Sequence, residues 1–479
     1  MLFNSFEFLI FFPVIVIFYF AIPYKWRWLL LLCGSYYFYM SWKAEYVILI
    51  LVSTAIDFFA AKRMSLTPLK SKRKKFLLLS IFTNLGLLFS FKYFNFFSDS
   101  ARAILAQFNI FYDVPVFHLL LPVGISFYTF QTLSYTIDVY NNKKQPETHF
   151  GKFALYVSFF PQLVAGPIER SNRLLPQLHL KYDFDYDRVV DGLRLMLWGF
   201  FKKVVIADRL AYYVNIVYNN PNEHYGFQII LATVFFAFQI FCDFSGYSDI
   251  AIGTAKIFGI NLMNNFDKPY FSKSISEFWK RWHISLSTWF RDYVYIPLGG
   301  NRVVKWRWYY NLFITFLVSG LWHGANWTFV IWGALHGFYF IFGIFSKPYR
   351  RNIIKFISLD KYPSVLKVIQ TLSIFILVCF AWIIFRANSL SEAVILIKNI
   401  FILNSESMHI NFLRTSDLIL DLVFIALLQI SYFLQKDRKF STFLASKPTL
   451  IRWSVYVFIT LSILYFGGQG GQEFIYFQF

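Results

Sequence analysis

The chain has 479 residues, of which 57% are hydrophobic, 22% aromatic and only 15% charged. A soluble domain carries about 25% charged residues, whereas apolar runs of bilayer length recur along this chain. The composition therefore excludes an ordinary soluble protein and predicts an all-α polytopic membrane protein.

The formal net charge is +20, which in a soluble protein would indicate nucleic acid binding. Here the basic residues cluster in short segments between apolar runs. We therefore predict that they orient the chain in the membrane and contact anionic lipid headgroups, with an anionic cytosolic ligand as the alternative and no nucleic-acid partner. The three cysteines each lie in an apolar run, which predicts packing roles rather than disulfides or a metal site.

Three apolar runs, 6–22, 26–42 and 46–61, precede the densest basic segment, 62–75. The positive-inside rule places that basic segment in the cytoplasm, so three crossings before it predict an extracytoplasmic N-terminus. The first run has no basic region before it and no small-residue cleavage site after it. It is therefore expected to be an anchor helix rather than a removed signal.

Two later runs, 118–131 and 159–167, are interrupted by proline and glycine. Such runs are poor simple spans and indicate broken or re-entrant helices, which membranes tolerate only when protein or a cavity shields them. We predict a central funnel formed around them. Counting runs of roughly 20 residues gives about eleven spans, in a single transmembrane domain covering residues 1–479.

Most of the ionisable chemistry lies between residues 277 and 336. His323 sits in a stretch, 311–345, that is long enough to cross a bilayer and contains no Lys, Arg, Asp or Glu. Placing a titratable group at membrane depth costs free energy, so such a residue indicates a functional site by default. His283 lies in a basic, aromatic segment, 277–290, whose apolar residues recur at helical spacing and predict an interfacial or re-entrant helix.

Each histidine has a functional and a structural interpretation. His323, flanked by Trp322 and Gly324, could act as a general base for an incoming hydroxyl. His283 could orient an acyl group while Lys280 and Arg281 hold phosphates or a carboxylate, or it could be an interfacial residue without chemistry.

His336 is expected only to hydrogen-bond a neighbouring helix. The residues expected to bind the donor or line the passage are Lys280, Arg281, Trp282, Asp292, Trp322 and Asn326. The carboxylate-poor surroundings favour no metal. The sequence contains no serine-hydrolase elbow and no phosphate loop in a suitable context, so a covalent serine enzyme and an ATPase lack support.

Eight stretches make the chain resemble the membrane-bound O-acyltransferase superfamily, and within it the AlgI-like alginate O-acetyltransferase branch. They are MLFNS at the start, 122–131 (PVGISFYTFQ), 160–170 (FPQLVAGPIER), 243–249 (DFSGYSD), 278–293 (FWKRWHISLSTWFRDY), 297–301 (PLGGN), 321–327 (LWHGANW) and 474–479 (FIYFQF).

The resemblance implies a ring of tilted helices around a central tunnel, with His323 matching the family's catalytic histidine and His283 its second conserved one. It implies transfer of an acyl group, usually acetyl, from a cytoplasmic thioester, either acetyl-coenzyme A or an acyl-carrier protein. The final acceptors would be hydroxyls of an exported polysaccharide. No bound cofactor is implied. An extracytoplasmic SGNH-type acetyltransferase is the implied partner, and a bacterial inner membrane the implied location.

Two alternative functions stay open at this stage. One is D-alanyl transfer from a carrier protein to a cell-wall polymer. The other is a transporter or flippase for lipid-linked sugars that uses the broken helices near Pro122 and Pro161 as its site.

Overall fold

The computed structural model describes residues 1–112, 114–117, 120–402, 414–467 and 474–475, and within these ranges it contains helices and no β-strand. Residues 118–119 of the run at 118–131, and residues 476–479 of the closing motif, lie outside the described part. The α-helices are α1 (Phe6–Ala21), α2 (Tyr24–Met40), α3 (Val47–Leu66), α4 (Lys70–Leu88), α5 (Phe94–Ala106), α6 (Ile125–Tyr140), α7 (Phe150–Ser158), α8 (Phe160–Leu163), α9 (Ser171–Gln177), α10 (Tyr186–Phe200), α11 (Asp208–Asn219), α12 (Phe227–Ile257), α13 (Ile275–Arg281), α14 (Ile284–Phe290), α15 (Lys305–His323), α16 (Trp327–Phe345), α17 (Lys347–Phe356), α18 (Pro363–Arg386), α19 (Leu390–Asn399), α20 (Thr415–Gln435), α21 (Phe440–Ala445) and α22 (Thr449–Phe466).

Seven helical segments of the described chain are long and apolar enough to cross a membrane. They are Ala44–Leu66, Lys70–Ala106, Phe227–Ile257, Trp327–Phe345, Pro363–Arg386, Thr415–Gln435 and Thr449–Phe466, and α1 is a shorter apolar helix. The prediction of an all-α, multi-pass membrane protein is confirmed. The figure of eleven spans and their arrangement as a ring around a tunnel stay predictions.

The chain divides into two compact units. The first comprises residues 1–196 and 247–263, and the second comprises 197–246 and 264–479. The prediction of one transmembrane domain covering 1–479 stays a prediction. All three cysteines are free; Cys242 is buried, Cys379 is partly buried and Cys33 is exposed, so the predicted packing role does not fit Cys33.

The first unit contains the broken helices that the proline and glycine residues predicted. Gly124 adopts a left-handed backbone, with φ of 76°, immediately before α6 begins. A Cβ atom at this position would lie only 2.5 Å from the backbone oxygen of Leu163. Both the left-handed backbone and this close contact therefore require glycine. The second run breaks at Phe159, which separates α7 from α8.

A buried polar cluster connects three helices of the first unit. Asp57 on α3 is fully buried and accepts hydrogen bonds from Ser80 Oγ (2.6 Å) and from Asn84 Nδ2 (2.9 and 3.0 Å to its two oxygens) on α4. Thr132 Oγ1 on α6 donates to Asn84 Oδ1 at 3.2 Å. Because lipid offers no hydrogen-bond partners, these contacts fix how the three helices align.

We expect Asp57→Ala to destabilise the protein, because it removes the carboxylate that accepts hydrogen bonds from the buried Ser80 hydroxyl and Asn84 amide. The expected loss is about 1–3 kcal/mol, measured as a lower thermal midpoint of the detergent-purified protein. Asp99→Ala is the matched control, since Asp99 is exposed and pairs with Arg102 of its own helix. Equal losses in the two variants would contradict a structural role for the buried cluster.

Candidate active site

His283 lies at a break between two short helices in the second unit. The sequence predicted one helix over 277–290, and this prediction is wrong: α13 ends at Arg281, α14 begins at Ile284, and His283 has a left-handed φ of 42°. Asn265 supports the break, because its backbone oxygen accepts from Ile284 N at 2.8 Å and its side-chain oxygen from Ser285 N at 3.4 Å. A tertiary contact therefore overrides the helical periodicity.

The His283 side chain is fully buried. Its ring meets the Phe244 ring nearly at right angles, with centroids 4.6 Å apart, and lies 6.1 Å from the Trp322 ring. His283 is outside the seven candidate spans, and burial lowers its pKa to about 3. The imidazole is therefore neutral at physiological pH.

His323 is the last residue of α15, at the end of a helical hairpin. The apolar run 311–345, which is long enough to cross a bilayer, is divided between two helices: α15 ends at His323, and α16 begins at Trp327. Asn326 caps α16 by accepting a hydrogen bond from Thr328 N at 3.0 Å. Only α16 of the pair is among the candidate spans, so the depth of His323 in the membrane stays a prediction.

Two glycines set the distance between the hairpin helices. A Cβ atom added to Gly320 would lie 2.3 Å from the backbone oxygen of Phe329, and one added to Gly333 would lie 2.4 Å from that of Phe316. The backbones of α15 and α16 thus approach more closely than any other residue pair would allow.

His323 is 3% exposed and enclosed by aromatic rings. The ring centroids of Trp322, Trp332 and Phe385 lie 5.1, 5.0 and 5.5 Å from the His323 centroid. Trp322 thus contacts both His323 and His283, although the two histidines are far apart in the chain. The fold brings the two predicted histidines to one aromatic cluster, while their catalytic roles stay predictions.

The polar residues predicted around the site differ in what they contact. Arg281 pairs with Glu277 one turn earlier at 2.8 Å, and Asp292 pairs with Arg291 at 2.8 Å. Asn326, besides capping α16, donates from its amide to a backbone oxygen of the loop after α18 at 3.0 Å.

Lys280 and Trp282 both precede the break at His283, Lys280 within α13 and Trp282 as its C-cap residue. Trp282 is buried and stacks on Phe278, with centroids 5.5 Å apart. Lys280 is exposed. Among the residues that the structure describes, no carboxylate lies within 4.0 Å of Lys280, so this ammonium group is available to a ligand.

A cavity of about 430 Å³ lies in the second unit, and Lys280 forms part of its wall. The rest of the lining is mainly aromatic and aliphatic, with hydroxyl groups from Ser287, Thr288 and Thr315. Neither His283 nor His323 lines it. Trp279 belongs to the wall and contacts Trp332 at 5.7 Å, and Trp332 in turn contacts His323.

Comparison with known proteins identifies the family. Residues 147–385 match the model of the membrane-bound O-acyltransferase (MBOAT) family. The chain is 40% identical over 395 residues to the probable alginate O-acetylase AlgI of Azotobacter vinelandii, covering 82% of this chain and 76% of that protein. It is 35% identical to the probable alginate O-acetylase AlgI of Pseudomonas putida over the whole of both chains. It is 36% identical to the peptidoglycan O-acetyltransferase of Helicobacter pylori, covering 80% of this chain and 74% of that protein.

The chain belongs to the MBOAT family. It is therefore an O-acyltransferase, as the histidine-containing stretches predicted. The matched range of this MBOAT chain includes α13 to α16, and so both His283 and His323.

The structure also shows MBOAT residues that the sequence did not single out. Trp332 lies between His323 and His336, at centroid distances of 5.0 and 4.7 Å. The spacing of four residues between Trp332 and His336 on one helix could have revealed that contact. No local signal connects Phe385, on α18, with His323.

His336 has the structural role that was predicted. Trp279 on α13 donates from Nε1 to His336 Nδ1 on α16 at 3.3 Å, so the histidine bonds a neighbouring helix. Over the described ranges, no group of three or more His, Cys, Asp or Glu side chains is arranged to hold a metal ion.

We expect Gly333→Ala to destabilise the MBOAT hairpin and reduce acyltransferase activity, because the new methyl group would overlap the backbone at Phe316. The measurement is the thermal midpoint of the purified protein together with its transfer rate. Gly343→Ala, ten residues further along the same helix, is the matched control because nothing lies within 4 Å of its added Cβ. That variant should be neutral or slightly stabilised, since alanine favours helix by about 1 kcal/mol over glycine. Similar behaviour of both variants would contradict the close approach.

Proposed function

We propose that this protein passes an acetyl group from a cytoplasmic thioester across the bacterial inner membrane for O-acetylation of an exported polysaccharide. In this proposal the reaction depends on His323, and the N-terminus lies outside the cytoplasm. The observation that carries the proposal is the pair of buried imidazoles, His283 and His323, packed on one tryptophan.

His323 would serve as general base. Its neutral imidazole takes the proton of the acceptor hydroxyl while the hydroxyl oxygen attacks the thioester carbonyl carbon. The carbon–sulfur bond breaks, and the departing thiolate takes the proton from the imidazolium. The products are an O-acetyl ester and a free thiol, and the histidine returns to its neutral form. His283, whose ring also contacts Trp322, would orient the acyl group.

The aromatic enclosure supports this assignment. Trp322, Trp332 and Phe385 surround His323, and such rings exclude the water that would otherwise hydrolyse the thioester. A neutral imidazole also suits an apolar enclosure, because a permanent charge buried there would cost much more free energy.

Lys280 and the 430 Å³ cavity are proposed to receive the donor. Coenzyme A and the prosthetic arm of an acyl-carrier protein both carry phosphate, which an ammonium group binds by charge-assisted hydrogen bonds. The neighbouring cations Arg281 and Arg291 already pair with carboxylates, so Lys280 is the cation of this group that a donor would meet.

The acceptor is proposed to be a polysaccharide because relatives are named for O-acetylation of alginate and of peptidoglycan. We further propose that a secreted SGNH-type acetyltransferase completes the transfer. D-alanyl transfer from a carrier protein would use the same base and the same donor side. A flippase for lipid-linked sugars would need neither histidine nor thioester, so the first experiment below separates it from acyl transfer.

We expect His323→Gln to lower acetylation of the exported polymer by at least about 100-fold, because glutamine cannot accept the hydroxyl proton. The measurement is ester-linked acetate on the polymer, alongside thioester consumption by purified membranes. Glutamine is polar and similar in size, so the amount of inserted protein and its thermal midpoint should change little. Full acetylation by this variant would overturn the catalytic assignment.

We expect Lys280→Ala to raise KM for the thioester donor by roughly 10-fold with little change in kcat, since it removes binding energy rather than the base. Lys305→Ala is the matched control, because Lys305 is also an exposed lysine but does not line the cavity. An unchanged KM in Lys280→Ala, or an equal rise in both variants, would remove the donor from this cavity.

A further inference from the structure

A second cavity, of about 270 Å³, lies in the first unit where α1 ends and α2 begins. Three basic side chains form part of its wall: Lys25 and Arg27 from α2, and Lys152 from α7. No carboxylate is among the described residues that line it. This concentration of positive charge is not used by the proposed acyl transfer, whose residues all belong to the second unit.

Arg27 is the most informative of the three. It is only 8% exposed, and its partners are neutral: Nη1 donates to the backbone oxygen of Tyr182 at 2.6 Å, and Nε to that of Ile22 at 3.4 Å. Its guanidinium lies 4.9 Å from the Tyr19 ring centroid. In the described part of the chain, no carboxylate lies within ion-pairing distance. Buried charges are almost always paired, so a buried arginine without a carboxylate indicates an external anion.

Lys25 and Lys152 add positive charge to the same cavity. Lys152 Nζ lies 2.9 Å from His179 Nδ1, and His179 Nε2 lies 3.0 Å from Glu147. The nearest acid is thus separated from Lys152 by an imidazole ring. Lys25 is exposed, and it likewise has no carboxylate within ion-pairing distance among the described residues.

The walls of the cavity are held in place by packing. The Trp28 ring lies so close to α7 that a Cβ atom on Gly151 would be 2.2 Å from it, and it also contacts His149 at 4.7 Å. Tyr24 donates from its hydroxyl to the backbone oxygen of His179 at 2.6 Å. The basic groups therefore surround a preformed space rather than a flexible surface, which lowers the entropic cost of binding.

We propose that this cavity, which we term the basic cavity, binds a phosphate group, either that of an anionic phospholipid headgroup or free inorganic phosphate. A phosphate accepts hydrogen bonds on several oxygens at once, which suits one guanidinium and two ammonium groups. The basic cavity lies at the end of the apolar helix α1 and beside aromatic residues. Basic and aromatic side chains at the ends of apolar helices are typical contacts of headgroup phosphates.

The test is a thermal-shift titration of the purified full-length protein in detergent. The probes are dioctanoyl phosphatidylglycerol, dioctanoyl phosphatidylcholine and inorganic phosphate, all at constant ionic strength. Phosphatidylcholine carries a phosphate that is masked by its positive choline group, so it controls for non-specific lipid binding. We expect a saturable rise of the thermal midpoint with phosphatidylglycerol or inorganic phosphate, and no comparable rise with phosphatidylcholine.

Two sets of variants locate the effect. Lys25→Ala combined with Lys152→Ala should weaken the apparent affinity by about tenfold or more, since two charge-assisted contacts are lost. Arg27→Gln should do the same, but it also removes the bond to Tyr182, so the double lysine variant is the safer measurement. Arg350→Gln combined with Lys355→Ala, two exposed cations of α17 in the second unit, should keep the native affinity.

The outcomes are distinguishable. Saturable binding of phosphatidylglycerol alone, lost in the lysine variant, assigns a lipid headgroup. Saturable binding of inorganic phosphate, lost in the same variant, assigns free phosphate. Equal shifts with phosphatidylglycerol and phosphatidylcholine, or native affinity in the lysine variant, would overturn the proposal. None of these results depends on acyltransferase activity.

Discussion

The geometry of the candidate site depends on how Asn265 holds the chain at His283. An ordinary helix through this segment would satisfy its own backbone and continue without a break. Asn265 instead supplies acceptors to Ile284 and Ser285, which lets His283 adopt a left-handed conformation at modest cost. The histidine therefore projects into the aromatic cluster from the junction of two short helices, a position that a straight helix would not give it.

Aromatic packing then positions the histidine, a task that charged residues perform in many soluble enzymes. Trp322, Trp332 and Phe385 fix the orientation of His323 through ring contacts, and the Trp279–His336 hydrogen bond fixes the adjoining helices. Rings exclude water and hold position without adding a net charge. In the proposed mechanism, this arrangement would let a chain with only 15% charged residues carry acid–base chemistry.

Several features could be predicted from the sequence because they follow from local chemistry. Run length and composition predicted the membrane helices, and proline with glycine predicted the break before α6. The motifs around His283 and His323 predicted the family. Two elements were not predicted in the same way. The break at His283 depends on Asn265, a tertiary partner. The turn after His323 does carry a local signal, Gly324 followed by the N-cap residue Asn326, but the uninterrupted absence of charge across 311–345 favoured one run. Periodicity alone therefore joined segments that the fold separates.

The glycine contact between α15 and α16 has a consequence for how such an enzyme can diversify. The backbones of the two helices meet at Gly320 and Gly333, and this meeting point holds the end of α15 in register with Trp332. Leu312, Thr315 and Ser319 on the same helix line the 430 Å³ cavity with their side chains. Substitutions at those three positions can reshape the cavity while the backbone that carries the histidine stays where it is. The shape of the cavity and the position of the His323 backbone thus depend on different contacts of one helix, and substitutions can change the first while the second is kept.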